Sequence, residues 1–175
     1  VDDGSTDNVK EILENELKAR VSKIIYHETN KGKGSAINTG LKYVTGDILI
    51  IQDADLEYDP SDYPKLIEPI KNGSADVVYG SRFLTKENRS LSPYWHYLGN
   101  KLLTIISNIF SGLNLTDMET CYKAISKKIY QKLTIQEKAF GIEPEITAKL
   151  AKLNAVIGEV SITYHGRSYS EGKKI

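Results

Sequence analysis

Apolar positions along the chain follow two periods, and their alternation predicts the elements. Val9, Ile12, Leu13 and Leu17 recur at helical spacing behind Asp7, a residue type suited to cap that helix. Residues 23–26 read as a short strand. A Gly/Lys loop, Asn30-Lys31-Gly32-Lys33-Gly34, then precedes a helix carrying Ala36, Ile37, Leu41 and Val44. The run Asp47-Ile48-Leu49-Ile50-Ile51-Gln52 reads as a strand that ends in Asp53-Ala54-Asp55. Asp59-Pro60-Ser61-Asp62 opens a helix through Ile70 that Asn72-Gly73 closes, and residues 75–79 form the next strand. In the second half a long helix spans 94–111, with Leu98, Leu102, Ile105, Ile106, Ile109 and Phe110 on its apolar side. Residues 115–123 show no helical period. Glu143-Pro144 starts a helix through Leu153, and 156–164 reads as a last strand.

Strands separated by helices of this length imply an α/β fold with a mostly parallel sheet and helices on both faces. Ligands of such sheets bind beyond the carboxyl ends of the strands. Asp3, Asp53-Asp55 and Gly80-Ser81-Arg82 all fall there. Val1 runs directly into Asp2-Asp3-Gly4-Ser5-Thr6-Asp7, which reads as the exit of a strand whose body is missing. The expectation is one domain over 1–175, excerpted from a longer protein and lacking an N-terminal strand.

Composition narrows the class. With 40% hydrophobic and 26% charged residues, the 175-residue chain can bury a core as an ordinary globular domain. Lys+Arg and Asp+Glu both number 23, and that balance points to no nucleic-acid partner. A single cysteine, Cys121, excludes an internal disulfide and fits a reducing, cytoplasmic setting. No signal peptide and no apolar stretch of bilayer length is present.

Candidate chemistry centres on carboxylates. Side chains alternate along an extended segment, so Asp53 and Asp55 point the same way, as does Glu57 if the extension persists. Such a set suits a hard divalent cation, although Asp is also common in solvated loops. Asp2-Asp3-Gly4-Ser5 is either a turn with a helix cap or an acceptor for the N–H groups of a nucleotide base. The Gly/Lys loop matches neither the P-loop nor the dinucleotide fingerprint. The 94–111 helix is either core or a membrane-interface element anchored by Tyr94, Trp95 and Tyr97 with Lys101 at the headgroups, and the density of aromatics favours the interface. Arg167 and Lys173 are surface charges or a clamp on a diphosphate. His27, His96 and His165 lack metal-ligand spacing, no Ser/His/Asp arrangement occurs, and Cys121 has no activating partner in the sequence.

In order and spacing, the segments 1–7, 30–34, 53–55 and 80–83 resemble family 2 glycosyltransferases of the GT-A fold. Leu115-Thr116-Asp117-Met118-Glu119-Thr120-Cys121-Tyr122-Lys123, Phe140-Gly141-Ile142-Glu143-Pro144-Glu145-Ile146 and Tyr164-His165-Gly166-Arg167 are similar to the dolichol-phosphate mannose synthase branch and its bacterial polyprenyl-phosphate relatives. The resemblance implies that Val1 and Asp3 contact the nucleotide base and ribose. It implies that Asp53, Ala54 and Asp55 meet the donor, with Asp53, Asp55 and Glu57 holding Mg²⁺ or Mn²⁺. Arg82 then faces the acceptor phosphate, Asp117 and Glu143 line the acceptor side, and Arg167 and Lys173 steady the diphosphate. Asp55, Arg82 and Asp117 carry the catalytic expectation. The implied activity is inverting transfer of a mannose- or glucose-type hexose from a GDP- or UDP-sugar to a polyprenyl or dolichyl phosphate, on the cytoplasmic face of a membrane. An elongating transferase with a sugar-hydroxyl acceptor is the alternative, with Asp117 as its base. Two features depart from the family. Its first strand is absent, and its second acceptor-side arginine has only Arg89 or His96 as counterparts.

Overall fold

The computed structural model describes residues 1–84 and 94–166, with the backbone alone for 94–96. The chain divides into two compact units, one of residues 1–45 with 134–145 and one of 46–133 with the segment from 146 onward.

In the first unit, helix α1 (Val9–Ile12) continues as a π turn over Leu13–Leu17 and a 3-10 turn over Lys18–Arg20. Asp7 accepts from the Val9 N–H at 3.1 Å, which satisfies one of the unpaired donors at the helix start. The strand expected at 23–26 shrinks to a single parallel bridge between Asp2 and Tyr26. Helix α2 (Lys33–Leu41) follows the Gly/Lys loop. Gly32 has φ 93°, and a Cβ there would lie 2.3 Å from the Lys138 carbonyl oxygen. The loop's glycines thus serve close backbone packing.

The second unit holds a four-stranded sheet in the order β1-β3-β2-β4. Its strands are β1 (Ile48–Ile50), β2 (Val77–Ser81), β3 (Lys123–Ser126) and β4 (Ile157–Ser161). β3 pairs antiparallel with both β1 and β2, and β2 pairs parallel with β4. β1, β2 and β4 therefore run one way and β3 alone is reversed. The α/β class stands, but the pairing is mixed rather than mostly parallel, because β3 inserts between two strands that would otherwise be neighbours. β2 is buried along its whole length, as its apolar run requires.

Helix α3 (Tyr63–Lys71) packs against β2 and β3. It is preceded by a 3-10 turn, Pro60–Asp62, in which Ser61 N–H donates to the capping Asp59 Oδ1 at 2.8 Å. Gly73 at φ 78° closes the helix. Leu66 on its inner face has no exposed surface, a burial that contributes about 1.5–3 kcal/mol.

Helix α4 (Tyr94–Ser111) is tied through one side to the segment that precedes β3. There Thr104 is buried and its hydroxyl accepts from Met118 N–H at 3.1 Å. Leu102, Ile109 and Phe110 remain 58%, 73% and 87% exposed, and Leu98, Leu103, Ile105 and Ile106 are also open. Among the described residues, no helix is long and apolar enough to cross a membrane. Short helices α5 (Lys127–Tyr130) and α6 (Ile142–Lys152) complete the fold.

Candidate active site

Because β3 is reversed, its start meets the carboxyl ends of the other three strands. That edge collects 51–57 after β1, Arg82 after β2, 162–166 after β4 and 117–122 before β3.

The β2 end supplies the most tightly built part. A Cβ on Gly80 would lie 2.8 Å from Ile162 Cγ2 and 2.9 Å from Tyr122 Cβ, so glycine permits this close approach. Arg82 is buried. Its Nε–H donates to Asp117 Oδ2 at 2.7 Å, its Nη2–H to Asp117 Oδ1 at 2.8 Å, and its backbone N–H to Oδ2 at 3.0 Å. Burial would lower the guanidinium's pKa, but the Asp117 carboxylate beside it raises it well above the usual value. The guanidinium carbon also lies 5.2 Å from the Tyr164 ring centre and 5.3 Å from that of Phe83. Asp117 has no exposed surface. The sequence expectation placed both residues at the acceptor side, and the structure brings them together as a bidentate pair.

The turn after β1 differs. Asp53 and Asp55 are half-buried, and Asp55 Oδ1 accepts from Glu57 N–H at 3.2 Å. The extension assumed for Glu57 does not persist, because Leu56 adopts φ 62° and reverses the local backbone. Glu57 is consequently buried, and its Oε2 accepts from Tyr164 O–H at 2.8 Å. Among the described residues no three His, Cys, Asp or Glu side chains gather as a metal-binding group. The expected third ligand therefore does not join Asp53 and Asp55.

A tyrosine cluster underlies this turn. The Tyr58 ring lies 4.7 Å from that of Tyr122 and 5.3 Å from that of Tyr164. Tyr122 O–H and Tyr63 O–H both donate to Gln52 Oε1, at 2.5 and 2.9 Å, which fixes the residue before Asp53. Tyr164 is buried, and burial followed by Glu57 pushes its phenol up to about 12.

Among the described residues, an open pocket of about 280 Å³ borders the β2 end. Its lining includes Phe83, Leu84, Tyr97, Lys101, Ile105 and Thr116, mostly apolar with one cation. Phe83 and Thr116 are the chain neighbours of Arg82 and Asp117.

In the first unit, Asp3 is committed to its own loop. It accepts from Lys31 N–H at 3.0 Å and Gly32 N–H at 2.7 Å, and it contacts His27 Nδ1 at 2.5 Å. Burial alone would raise the Asp3 carboxyl, but these hydrogen bonds hold it below the usual range. Glu143, also buried, pairs with Lys33 at 3.0 Å. Val1 is half-exposed. Arg89, Arg167 and Lys173 lie outside the described residues, as does the side chain of His96.

A family model described as glycosyl transferase family 2 matches residues 1–134. The chain belongs to this family. Among curated relatives of this glycosyltransferase, a UDP-N-acetylglucosamine–dolichyl-phosphate N-acetylglucosaminyltransferase from Methanococcus voltae is 37% identical over 97% of the chain and 75% of its own length. A dolichol-phosphate mannosyltransferase from Pyrococcus furiosus is 31% identical over 99% of the chain, which spans 49% of that protein. An undecaprenyl-phosphate mannosyltransferase from Micrococcus luteus is 29% identical over 99% of the chain and 73% of its length. Among solved structures, glucosyl-3-phosphoglycerate synthase from Mycobacterium tuberculosis, in complex with Mn²⁺, UDP and glucosyl-3-phosphoglycerate, superposes with a TM-score of 0.69. It is 18% identical, and the match covers 98% of this chain and 61% of that one. That likeness shows the GT-A fold.

Sequence reasoning missed Glu159 on β4. Its carboxylate accepts from Thr116 N–H at 2.9 Å, from Asp117 N–H at 3.2 Å and from the Thr116 hydroxyl at 3.1 Å. Burial holds this carboxyl above its usual range despite those donors. No sequence signal marks it, since it sits alone in a short apolar strand.

Proposed function

We propose that this glycosyltransferase moves a hexose, of mannose or glucose type, from a GDP- or UDP-sugar to a polyprenyl phosphate with inversion at the sugar. The reading treats the whole chain as catalytic domain and places it at the cytoplasmic surface of a membrane. The observation that carries it is the buried, carboxylate-locked Arg82, whose chain neighbour Phe83 lines an open, mostly apolar pocket. A fixed cation beside an apolar surface suits an acceptor that joins a phosphate to a hydrocarbon chain. The exposed apolar side of α4 fits a membrane surface, where such a lipid would be met. Three curated relatives act, by name, on dolichyl, dolichol or undecaprenyl phosphate.

The donor set after β1 fits a hard divalent ion. Two half-buried carboxylates suffice for Mg²⁺ or Mn²⁺ when substrate phosphates complete the shell. When bound, the ion neutralises charge on the departing nucleoside diphosphate. In this reading Asp53 and Asp55 hold it, with the Ala54 backbone against the donor, and Gln52 and the tyrosines keep the turn in place. Glu57 supports that turn through Tyr164. Arg167 and Lys173 steady the diphosphate, and Val1 and Asp3 bound the nucleotide side, Asp3 by shaping the Lys31-Gly32 loop. Glu143 is read as an acceptor-binding residue on the strength of the resemblance, and within its own unit it pairs with Lys33. Arg82 orients the acceptor phosphate, which is already anionic near neutral pH and attacks without a strong base. The sugar-hydroxyl alternative needs a general base. Both Asp117 oxygens already accept hydrogen bonds from Arg82, which makes Asp117 a poor base and disfavours that alternative.

The test uses the full chain, Mn²⁺, labelled UDP- and GDP-sugars and a short polyprenyl phosphate, beside Asp55→Ala. Label entering the organic phase, and lost in the variant, is the expected result and names the donor. Nucleotide binding with no lipid product would overturn the acceptor assignment.

A further inference from the structure

Arg82 is held by Asp117, yet Asp117 sits in an irregular segment that nothing in its own sequence makes rigid. Thr104 and Asn108 on α4 hold the flanking Met118 and Leu115, and what fixes Thr116 and Asp117 between them comes from β4. Glu159 engages both successive N–H groups, of Thr116 and Asp117, and the Thr116 hydroxyl. The same Thr116 hydroxyl lies 2.6 Å from Ser81 Oγ, and Ser81 Oγ accepts from Phe83 N–H at 3.1 Å. Ser81 and Phe83 are the residues on either side of Arg82. One carboxylate is thereby linked to Arg82 from two directions, through the Asp117 side chain and through the backbone that carries Arg82 itself.

We propose that Glu159 is a positioning residue for acceptor binding, gripping the Thr116-Asp117 backbone so that the Arg82 guanidinium keeps one orientation toward an incoming phosphate. The inference rests on the reading of Arg82 as the acceptor-phosphate residue. Glutamate suits the task because an ionised carboxylate accepts at both oxygens and donates nothing. Gln at 159 keeps one acceptor oxygen but loses the charge and puts a donor where Oε2 shares the Thr116 N–H, so the grip on the adjacent N–H groups is weakened. Misplacement of a binding group by about 1 Å is enough to cost up to about a hundredfold in rate.

The experiment compares Glu159→Gln, Arg82→Gln and the double variant in the full chain, with a short polyprenyl phosphate as acceptor and the nucleotide donor saturating. Circular dichroism and thermal melting serve as fold controls. Glu159→Gln is expected to raise KM for the acceptor phosphate by about tenfold or more, with nucleotide affinity unchanged. In the Arg82→Gln background it should change acceptor KM less than twofold, because coupled residues are non-additive. Glu159→Asp keeps the charge and should recover part of the loss. If Arg82→Gln raises acceptor KM and Glu159→Gln does not, the positioning role is wrong. Additive losses in the double variant would likewise overturn it. If Arg82→Gln leaves acceptor KM unchanged, the acceptor reading of Arg82 fails, and this inference with it.

Discussion

Two acidic features share the ligand edge and are built in opposite ways. Asp117 is fully buried, holds Arg82 by three hydrogen bonds and is held in turn by Glu159. Asp53 and Asp55 are half-buried on a turn reversed by a leucine in the left-handed region. The first centre is complete within the protein, its guanidinium paired with a carboxylate on folding. The second keeps its carboxylates half-buried on an irregular turn. In the proposed function, preorganisation belongs to the acceptor-phosphate side of this edge, and adaptability to the metal side.

The sharpest way to break that contrast is to remove one carboxylate from each. Asp55→Ala should lower transfer by at least about a hundredfold while melting stays within about 0.5 kcal/mol of the parent. Radiolabel transfer and a thermal melt check both halves, and a large stability loss would show the turn to be structural. Asp117→Ala should do the reverse first, costing about 3–5 kcal/mol of stability because Arg82 is left buried and unpaired. A denaturant titration reads this directly. Gly80→Ala adds a methyl against Ile162 and Tyr122 and should destabilise by about 1–3 kcal/mol, measurable by the same titration.

The smallest effect concerns pH. The Glu159 carboxyl is held above its ordinary range, so its ionisation costs the folded state stability. That cost is absent below the ordinary carboxyl range and is fully present once pH exceeds the folded value. The stability of Glu159→Gln relative to the parent should therefore be lower under acid conditions than at neutral pH. Scanning calorimetry at two pH values checks this, and a relative stability that does not fall in acid would contradict it.

Much of this edge was legible in the residues. Helical spacing and cap types placed α3 closely, with Asp59 ahead of Pro60 and Gly73 behind. The 94–111 helix was placed at its observed bounds, and the order of motifs pointed to the family that the comparison with known proteins bears out. β3 was not legible, because four residues beginning with a buried lysine carry no alternation. Leu56 hid the fate of Glu57, since side chains with a Cβ rarely take positive φ and nothing local announces it. The Arg82–Asp117 pair and the tyrosine cluster join residues far apart in sequence, and periodicity speaks only of near neighbours.

The reversed strand has a consequence for how the protein folds. β3 pairs with β1 and β2, partners dozens of residues earlier in the chain, so its docking closes long loops that nothing local compensates. The segment that carries Asp117 arrives with it. A chain whose helices and β2–β4 pair have formed, but whose third strand has not yet inserted, would hold an arginine without its carboxylate. In the proposed function, the acceptor site is therefore complete only once the third strand has joined the sheet.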